Sequence, residues 1–325
     1  MSGFWRGKTC LVTGATGFLG GSLVAELLDQ GAQVVALVRD MVPQSRFAAT
    51  DLAKRAKIVR GALEDYAVIE RALNEYAVDT VFHLGAQAIV GVANRNPLST
   101  FEANIKGTWV LLEACRRVAT IERVVVASSD KAYGDHAALP YHEDFPLQGR
   151  HPYDVSKSCA DLIALSYAKT YSLPVAITRC GNLFGPGDLN INRIVPGTCL
   201  AAIDGARPVI RSDGSPVRDY VYVEDIVEGY LRVAEHLGDE GVVGRAFNFG
   251  TGEPVSVLDL TRRTLAAAGR ADLEPEVRNH AHGEIQAQYL SSALAAEKLG
   301  WRPGAGLDQR LSQTFLWYRE HRHFF

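Results

Sequence analysis

Short apolar runs alternate with amphipathic stretches over the first 180 residues, and this alternation limits the possible folds more than any other feature. Short continuous apolar strands separated by helices form a parallel sheet covered on both faces, so we expect an α/β fold. The predicted strands are residues 9–13, 33–38, 57–60, 80–84, 123–127 and 175–179. The predicted helices are residues 19–30, 68–76, 100–118 and 156–171.

The alternation stops after residue 179, where glycine and proline become denser. We therefore predict a Rossmann-type, doubly wound parallel sheet in residues 1–180, to which residues 219–250 return. A smaller, mixed α/β substrate domain is predicted for residues 181–218 and 251–325. No Pro/Ser linker separates the two parts, so we expect them to share a cleft where the strand order reverses.

Composition argues against several classes of partner. The net charge of −3 offers no general attraction for nucleic acid or an anionic membrane. No apolar run reaches 18 residues, so no membrane-spanning helix is expected. The five cysteines form no C-x-x-C pair, and we interpret them as reduced core residues of a cytoplasmic protein. The spaced histidine pairs His280/His282 and His321/His323 lack further ligands, so no metal site is predicted.

A glycine-rich turn follows the first predicted strand and opens a helix. Gly14, Gly17 and Gly20 have the spacing G-x-x-G-x-x-G in the segment TGATGFLG. Glycines let the backbone approach a pyrophosphate, and the helix N-terminus offers unpaired N–H groups. In a strand–turn–helix context, the segment predicts a nicotinamide dinucleotide site.

The end of the second strand bears on the type of cofactor. An acidic residue there usually binds the adenosine ribose of NAD, whereas arginine suits the 2′-phosphate of NADP. Val38 occupies the expected acidic position, and Arg39 and Asp40 follow. Arg39 favours NADP, but Asp40 could still reach a ribose, so both cofactors stay open.

Tyr153 and Lys157 lie four residues apart, which places them on one face of a helix. A phenol with a pKa of about 10 is a poor base at neutral pH, and a nearby ammonium lowers that pKa. The pair could then take a proton from a sugar hydroxyl. A Y-x-x-x-K spacing alone is common; its place after a glycine turn favours the catalytic interpretation.

The strand 123–127 ends in the polar segment Ser129, Asp130 and Lys131. Side chains at the carboxyl end of a parallel strand face the cleft. A hydroxyl, a carboxyl and an amine together exceed what alcohol oxidation needs. They suit an added elimination, which takes a proton from carbon and gives one to a leaving hydroxyl.

The glycine turn, SSDKAYG and HPYDVSK together resemble the extended short-chain dehydrogenase/reductase superfamily, also called NAD-dependent epimerases/dehydratases. The nearest resemblance is to CDP-glucose 4,6-dehydratase and GDP-mannose 4,6-dehydratase-like enzymes, and it covers nearly the whole chain. Asp130-Lys131 discriminates within the family, since dTDP-sugar dehydratases carry Asp-Glu there and 4-epimerases carry no acid. Further matching segments are HLGAQ (83–87), NIKGT (104–108), RDYVYVED (218–225) and KLGWRP (298–303).

The resemblance also implies roles. Tyr153 would be the base at the sugar O4, Ser129 would bind O4, Asp130 would be the acid at O6, Lys131 would act near C5, and Lys157 would hold the nicotinamide ribose. The implied cofactor-binding residues are Gly14, Thr16, Gly17, Phe18, Leu19, Gly20, Arg39, Asp40, Leu63, Leu84, Ala86, Tyr153 and Lys157. The implied substrate-binding residues are Gln87, Ser129, Asn182, Arg193 and Arg218.

We therefore expect a nucleoside-diphosphate-hexose 4,6-dehydratase, a lyase that forms a 4-keto-6-deoxy sugar on tightly bound NAD or NADP. CDP- and GDP-hexoses are the favoured substrates. The alternatives are a 4-epimerase or 4-reductase on the same scaffold, and a non-catalytic nucleotide-binding regulator. The apolar faces of helices 100–118 and 156–171 predict at least a homodimer, as in relatives.

Overall fold

The computed structural model describes residues 3–280 and 285–325. The strands are β1 Thr9–Thr13, β2 Gln33–Val38, β3 Lys57–Arg60, β4 Thr80–His83, β5 Arg123–Ala127, β6 Val175–Cys180, β7 Asn182–Phe184, β8 Val209–Ile210, β9 Val217–Arg218, β10 Tyr220–Tyr222, β11 Ala246–Phe249, β12 Val255–Ser256, β13 Glu276–Val277 and β14 Ala287–Gln288. The α-helices are α1 Phe18–Asp29, α2 Arg46–Ala49, α3 Leu52–Arg55, α4 Tyr66–Glu75, α5 Val90–Arg95, α6 Pro97–Phe101, α7 Gly107–Arg117, α8 Pro152–Tyr171, α9 Ile194–Asp204, α10 Val223–Glu235, α11 Val257–Ala267, α12 Ala293–Leu299 and α13 Leu307–Glu320.

In the part of the chain that the structure describes, seven parallel strands form one sheet in the order β3-β2-β1-β4-β5-β6-β11. Thr13, the last residue of β1, pairs with Leu37 of β2 on one side and His83 of β4 on the other. The order reverses between β1 and β4, so a crevice opens there at the carboxyl ends of the strands. The predicted doubly wound α/β fold is confirmed.

Both faces of the sheet are covered, which explains why its strands read as continuous apolar runs. In β1, Cys10 and Val12 belong to one core cluster, and Leu11 belongs to the opposite one. Helices α1 and α10 pack on the first face, and α4, α7 and α8 pack on the second. The sheet is therefore fully buried, and only its edges and strand ends are accessible.

The C-terminal elements build a smaller layer beside the sheet. Helices α9, α11 and α13 pack around a third apolar cluster that includes Phe184, Tyr222 and Phe315. Strand β11 joins the main sheet next to β6, whereas β10 pairs with β7 outside it. The division into residues 1–180 with 219–250, and 181–218 with 251–325, stays a prediction.

The predicted helix 100–118 is helical as far as Arg117 but is not a regular α-helix throughout. A π-helical turn, Glu102–Lys106, separates α6 from α7. Its central residue, Asn104, is buried, and its side chain binds residues of two other segments. Such a turn re-aims a side chain without ending the helix, which explains why hydrophobic periodicity did not reveal it.

Helix α8 begins at Pro152, four residues before the predicted start. Proline suits the first helical position, because its missing N–H would have no partner within the helix. The first turn therefore carries Tyr153, and Lys157 follows one turn later on the same face.

The described residues bear on three expectations, which concern membrane-spanning helices, metal sites and the cysteines. None of the helices described there is both long and apolar enough to span a membrane. The described residues contain no group of three potential metal ligands; His282 lies outside them. The five cysteines are free, and Cys159 alone among them is partly exposed.

A buried ion pair joins β6 to α8 behind the strand ends. Arg179 donates to both carboxylate oxygens of Asp161 at 2.8 and 2.9 Å, and both side chains are almost inaccessible. Arg179 also donates to the Tyr133 hydroxyl and to the Glu143 carbonyl. The Arg179 guanidinium thus fixes α8, the helix that carries Tyr153, relative to Tyr133 and to the loop that contains Glu143.

We predict that Asp161→Asn lowers the free energy of unfolding by roughly 3–5 kcal/mol, because it leaves Arg179 charged, buried and incompletely paired. Chemical denaturation would measure this loss, provided that the dependence of the free energy of unfolding on denaturant concentration is the same in variant and wild type. Asp29→Asn is the matched control, since it breaks the exposed pair between Arg55 and Asp29 and should have a much smaller effect. Equal effects of the two variants would contradict a structural role for the buried pair.

Candidate active site

A cavity of about 1060 Å³ opens at the carboxyl ends of β1, β4, β5 and β6. Parallel strands end at one edge, so turns that are distant in sequence meet there. Its wall includes every predicted catalytic and cofactor-binding residue, together with all of the predicted substrate-binding residues except Arg218. The predicted residues that line it are Gly14, Thr16, Gly17, Phe18, Leu19, Gly20, Arg39, Asp40, Leu63, Leu84, Ala86, Gln87, Ser129, Asp130, Lys131, Tyr153, Lys157, Asn182 and Arg193.

The glycine turn forms the floor of one end of this cavity. Gly14 has φ +72°, and a Cβ there would lie 2.8 Å from the backbone nitrogen of Gly85. A Cβ on Gly20 would collide with the carbonyl oxygen of Gly14. Both positions therefore exclude side chains, and the backbone at the start of α1 stays open to a ligand.

A buried polar network ties this turn to β4. Thr13 Oγ1 accepts from the Gly85 N–H at 2.9 Å and contacts His83 Nδ1 at 3.0 Å. His83 Nε2 lies 3.1 Å from Thr108 Oγ1, whose hydroxyl donates to the carbonyl of Asn104. Because the Thr108 hydroxyl donates its proton to that carbonyl, it can only accept from His83. His83 therefore donates from Nε2 to Thr108 and accepts at Nδ1 from Thr13. Burial lowers the pKa of His83 to about 3, so the imidazole is neutral.

The network continues to the helix of Tyr153 through Asn104. The Asn104 side chain accepts from the Gln87 N–H at 2.7 Å and donates to Ser156 Oγ at 2.9 Å. Ser156 in turn donates to the carbonyl of Tyr153 at 2.6 Å. The π-helical turn therefore places an amide that fixes the Gln87 loop against α8.

Ser129, Asp130 and Lys131 form one compact cluster. Ser129 Oγ donates to Asp130 Oδ1 at 3.0 Å, and Lys131 Nζ lies 2.8 Å from Asp130 Oδ2. Ser129 also caps the 3-10 turn Asp130–Tyr133 by accepting from the Lys131 N–H. Asp130 is buried, whereas the Lys131 side chain is partly exposed. The carboxyl and the amine thus share a direct contact at the cavity wall.

Tyr153 and Lys157 lie beside this cluster. Burial raises the pKa of Tyr153 to about 12, against the lowering effects of a Ser129 hydrogen bond and the Arg193 charge. Burial also lowers the pKa of Lys157 to about 8, and its Nζ donates to the carbonyl of Ala127 at 2.8 Å. We expected Lys157 to lower the pKa of Tyr153; this expectation was wrong, because burial outweighs the lowering effects and the carboxylates of Asp130 and Asp154 add to the increase.

The cavity is also lined by Asn182 and Arg193, two of the residues predicted to bind substrate. Arg193 is held by Asp188, whose Oδ2 lies 2.9 Å from its Nη1. Asn182 begins β7 beside the end of β6. Arg218 is placed elsewhere: it does not line the cavity, and its guanidinium donates to the carbonyl of Val217 on its own strand.

The residues present fit a nicotinamide dinucleotide. Side chains at Gly14 and Gly20 would collide with neighbouring backbone, so the turn stays compact, and it lines the cavity at the N-terminus of α1, where backbone N–H groups could bind a pyrophosphate. Ser128 Oγ also lines the cavity and is buried without a hydrogen-bond partner in the described part of the chain. Because a buried hydroxyl normally has a partner, this orphaned group indicates that a polar ligand completes it.

Two side chains at the site were not predicted. Arg46 lines the cavity, as Arg39 does, and donates to Ser22 Oγ. Gln288 is fully buried, and its Oε1 accepts from Lys131 Nζ. A basic residue soon after the second strand could have indicated Arg46. No local pattern could have indicated Gln288, because it lies 157 residues from Lys131.

The sequence matches the NAD dependent epimerase/dehydratase family over residues 10–250. The chain belongs to this family. A CDP-glucose 4,6-dehydratase of Salmonella typhimurium is 30% identical over 97% of this chain and 92% of its own length. A UDP-glucose 4-epimerase of Mycolicibacterium smegmatis is 31% identical over 95% of this chain and 98% of its own length. A trifunctional protein of Arabidopsis thaliana that includes UDP-glucose 4,6-dehydratase is 29% identical, and this chain spans about half of its length, 48%.

Solved structures of family members have the same fold. A UDP-glucose 4-epimerase of Thermotoga maritima with UDP-glucose superposes with a TM-score of 0.88, at 28% identity over 97% of this chain and 99% of the epimerase. A dTDP-glucose 4,6-dehydratase of Streptomyces venezuelae with NAD superposes with a TM-score of 0.86, at 28% identity over 98% of both chains. The expected family and enzyme class are confirmed; relatives of both kinds, dehydratases and epimerases, are similarly close.

We predict that Tyr153→Phe slows oxidation of a nucleotide sugar by the NAD-loaded protein by on the order of a hundredfold or more, because it removes one acid–base group. The rise of near-ultraviolet absorbance on mixing would measure this rate. Tyr171→Phe, at the exposed end of the same helix, is the control and should keep the wild-type rate. An active Tyr153→Phe with an unchanged melting temperature would contradict the assigned role.

Proposed function

We propose that this family member is a nucleoside-diphosphate-hexose 4,6-dehydratase that forms a 4-keto-6-deoxy sugar. The observation that carries the proposal is the contact between Asp130 and Lys131 at the cavity wall, next to Ser129. Oxidation at C4 alone needs a base for the O4 proton and no second acid–base pair. Elimination needs two more proton transfers, and this pair can supply them.

The first proton transfer takes place at O4. Bound nicotinamide supplies a reversible hydride acceptor, which allows oxidation at C4 and a later reduction at C6. Tyr153 receives the O4 proton, and Ser129 can donate a hydrogen bond to O4. Because burial keeps the pKa of Tyr153 near 12, the phenolate that accepts this proton is a minor form at neutral pH.

The elimination uses Asp130 and Lys131 as partners that share one proton. When the proton is on Asp130, the Lys131 amine is free to take the C5 proton, which the C4 ketone has made acidic. Asp130 then gives its proton to O6, the C6–O bond breaks, and water leaves. The pair ends as carboxylate and ammonium, joined by the 2.8 Å contact. When C6 is reduced, Lys131 gives C5 a proton that has exchanged with solvent. The O4 proton held by Tyr153 is released to solvent, and the pair regains one proton from solvent.

A panel of UDP-, dTDP-, CDP- and GDP-hexoses tests the activity. We predict a product lighter by one water from at least one of them, detected by mass spectrometry. Asp130→Asn should retain C4 oxidation while water loss slows by roughly two to four orders of magnitude, the usual effect of losing a positioned acid. Reduced cofactor should then accumulate as near-ultraviolet absorbance.

Asp135→Asn is the matched control for this variant, because Asp135 is exposed and does not line the cavity. It should turn over like the wild type. A 4-epimerase would yield no lighter product, and Asp130→Asn would retain its turnover. Such a result would contradict the dehydratase proposal and favour the epimerase relatives.

The nucleotide of the substrate is proposed as CDP or GDP. The CDP-glucose 4,6-dehydratase relative supports CDP. GDP rests on the second-strand end, which resembles that of GDP-mannose dehydratases. The Arg193 guanidinium is suited to bidentate contact with the diphosphate in either case.

For the cofactor, we propose a preference for NADP over the NAD found in relatives. Arg39 and Arg46 both follow the second strand and line the cavity, so together they could flank a 2′-phosphate. Arg39 is two-thirds exposed and pairs with Asp40 at 2.6 Å, so it can turn toward a ligand with little desolvation. Asp40 opposes a phosphate, and its carboxylate would instead suit the free ribose of NAD.

We predict that the wild type binds NADP more tightly than NAD, and that Arg39→Ser weakens NADP binding by roughly tenfold or more through loss of a charge-assisted bond. NAD affinity should change little. Titration calorimetry with both cofactors measures this, and Arg55→Ser on the outer surface is the control. Binding of NAD with no measurable NADP affinity would refute the preference.

We also propose a homodimer through α7 and α8. Trp109 and Leu162 are about half exposed on these neighbouring helices, and Tyr171 extends the same apolar surface. Leu112 of α7 is instead fully buried in the core and does not belong to this surface. Large exposed apolar side chains on two packed helices are typical of a surface that a second copy covers.

A further inference from the structure

We propose that Gln288 is a positioning residue that holds the Lys131 amine beside Asp130, an inference that rests on the proposed dehydratase activity. Gln288 is completely buried on β14. Its Nε2 donates to the carbonyls of Asp130 and Gly134 at 3.0 and 3.3 Å. Its Oε1 accepts from Lys131 Nζ. Both the oxygen and the nitrogen of the amide therefore make their hydrogen bonds to the segment that carries the acid–base pair.

The orientation of this amide is determined by its neighbours. The reverse orientation would place the amide oxygen against two carbonyl oxygens and the NH₂ group against an ammonium. A buried amide without partners is costly, so these contacts and the orientation support each other. Gln288 thus presents an acceptor to Lys131 and a donor to the backbone of Asp130.

Lys131 needs such a partner because its side chain is long and partly exposed. An ammonium on a flexible stem can turn to solvent unless two acceptors define its position. Asp130 Oδ2 provides one acceptor, and Gln288 Oε1 provides the second from another part of the chain. Gln288 accordingly fixes the direction of Nζ without contacting the substrate.

The same contact joins the acid–base pair to the C-terminal layer. Strand β14 pairs with β9, where Gln288 lies opposite Arg218, and β9 also pairs with β12. The 3-10 turn Asp130–Tyr133 belongs to the main sheet side of the cavity. Gln288 is therefore a direct polar link from the C-terminal layer to the turn that carries the reacting groups.

The test compares Gln288→Met with Ser158→Ala in the full-length protein. Ser158 donates to the carbonyl of Ala132 and so supports the same turn without contacting Lys131. We expect Gln288→Met to oxidise C4 within about threefold of the wild type but to lose water roughly tenfold to a hundredfold more slowly, because a displaced group is a poor proton acceptor. Reduced cofactor should accumulate in Gln288→Met and not in Ser158→Ala.

Gln288→Glu provides a second measurement that a structural role would not affect. A carboxylate beside Lys131 favours its ammonium, so the free amine appears only at higher pH. The pH profile of water loss should therefore shift upward, while that of C4 oxidation should not. This variant also keeps the inference testable if Gln288→Met does not fold.

Four outcomes would overturn the inference. Equal slowing of C4 oxidation and water loss in Gln288→Met, or behaviour like that of Ser158→Ala, would leave Gln288 a purely structural residue. An unshifted pH profile in Gln288→Glu would separate it from Lys131. No water loss by the wild type on any nucleotide sugar would instead refute the dehydratase activity itself, and this inference with it.

Discussion

Parallel strands that end at one edge of a sheet are the constraint on which every part of the candidate site depends. The glycine turn follows β1, the Gln87 loop follows β4, the Ser129 cluster follows β5 and Asn182 follows β6. Register pairs Thr13 with His83 and Ala127 with Thr178, so the turns begin at nearly the same height. Since the sheet is buried on both faces, these strand ends are where its polar groups can meet a ligand.

Neutral and charged groups are separated within the site. The network from Thr13 through His83 to Asn104 contains no ionised group, because burial keeps the imidazole neutral. It can therefore be fully satisfied within the protein and hold the cofactor turn rigidly against α8. The charged groups, Asp130 and Lys131, lie at the cavity wall, where a proton can be exchanged with a sugar.

Much of this organisation follows from local sequence patterns. The bounds of the six predicted strands agree with those of β1 to β6 to within one residue. Short apolar runs rich in β-branched residues and flanked by turns favour buried strands over other structures. Ser129 and Tyr153 could be placed at the cavity from their positions after a strand and on a helix. The features that were missed depend on contacts between distant segments. The π-helical turn at Asn104 contacts Gln87 and Ser156, and Gln288 contacts Lys131 from β14. The pKa of Tyr153 was misjudged for the same reason, since burial is a property of the assembled fold.

The central claim is that Asp130 and Lys131 move protons between C5, O6 and solvent. Turnover in deuterium oxide measures this most directly, because C5 must be reprotonated from solvent after water has left. We predict a product that is lighter by one water and carries one deuterium at C5, located by mass spectrometry and NMR. A product of unchanged mass without deuterium, as simple inversion at C4 would give, would contradict the claim.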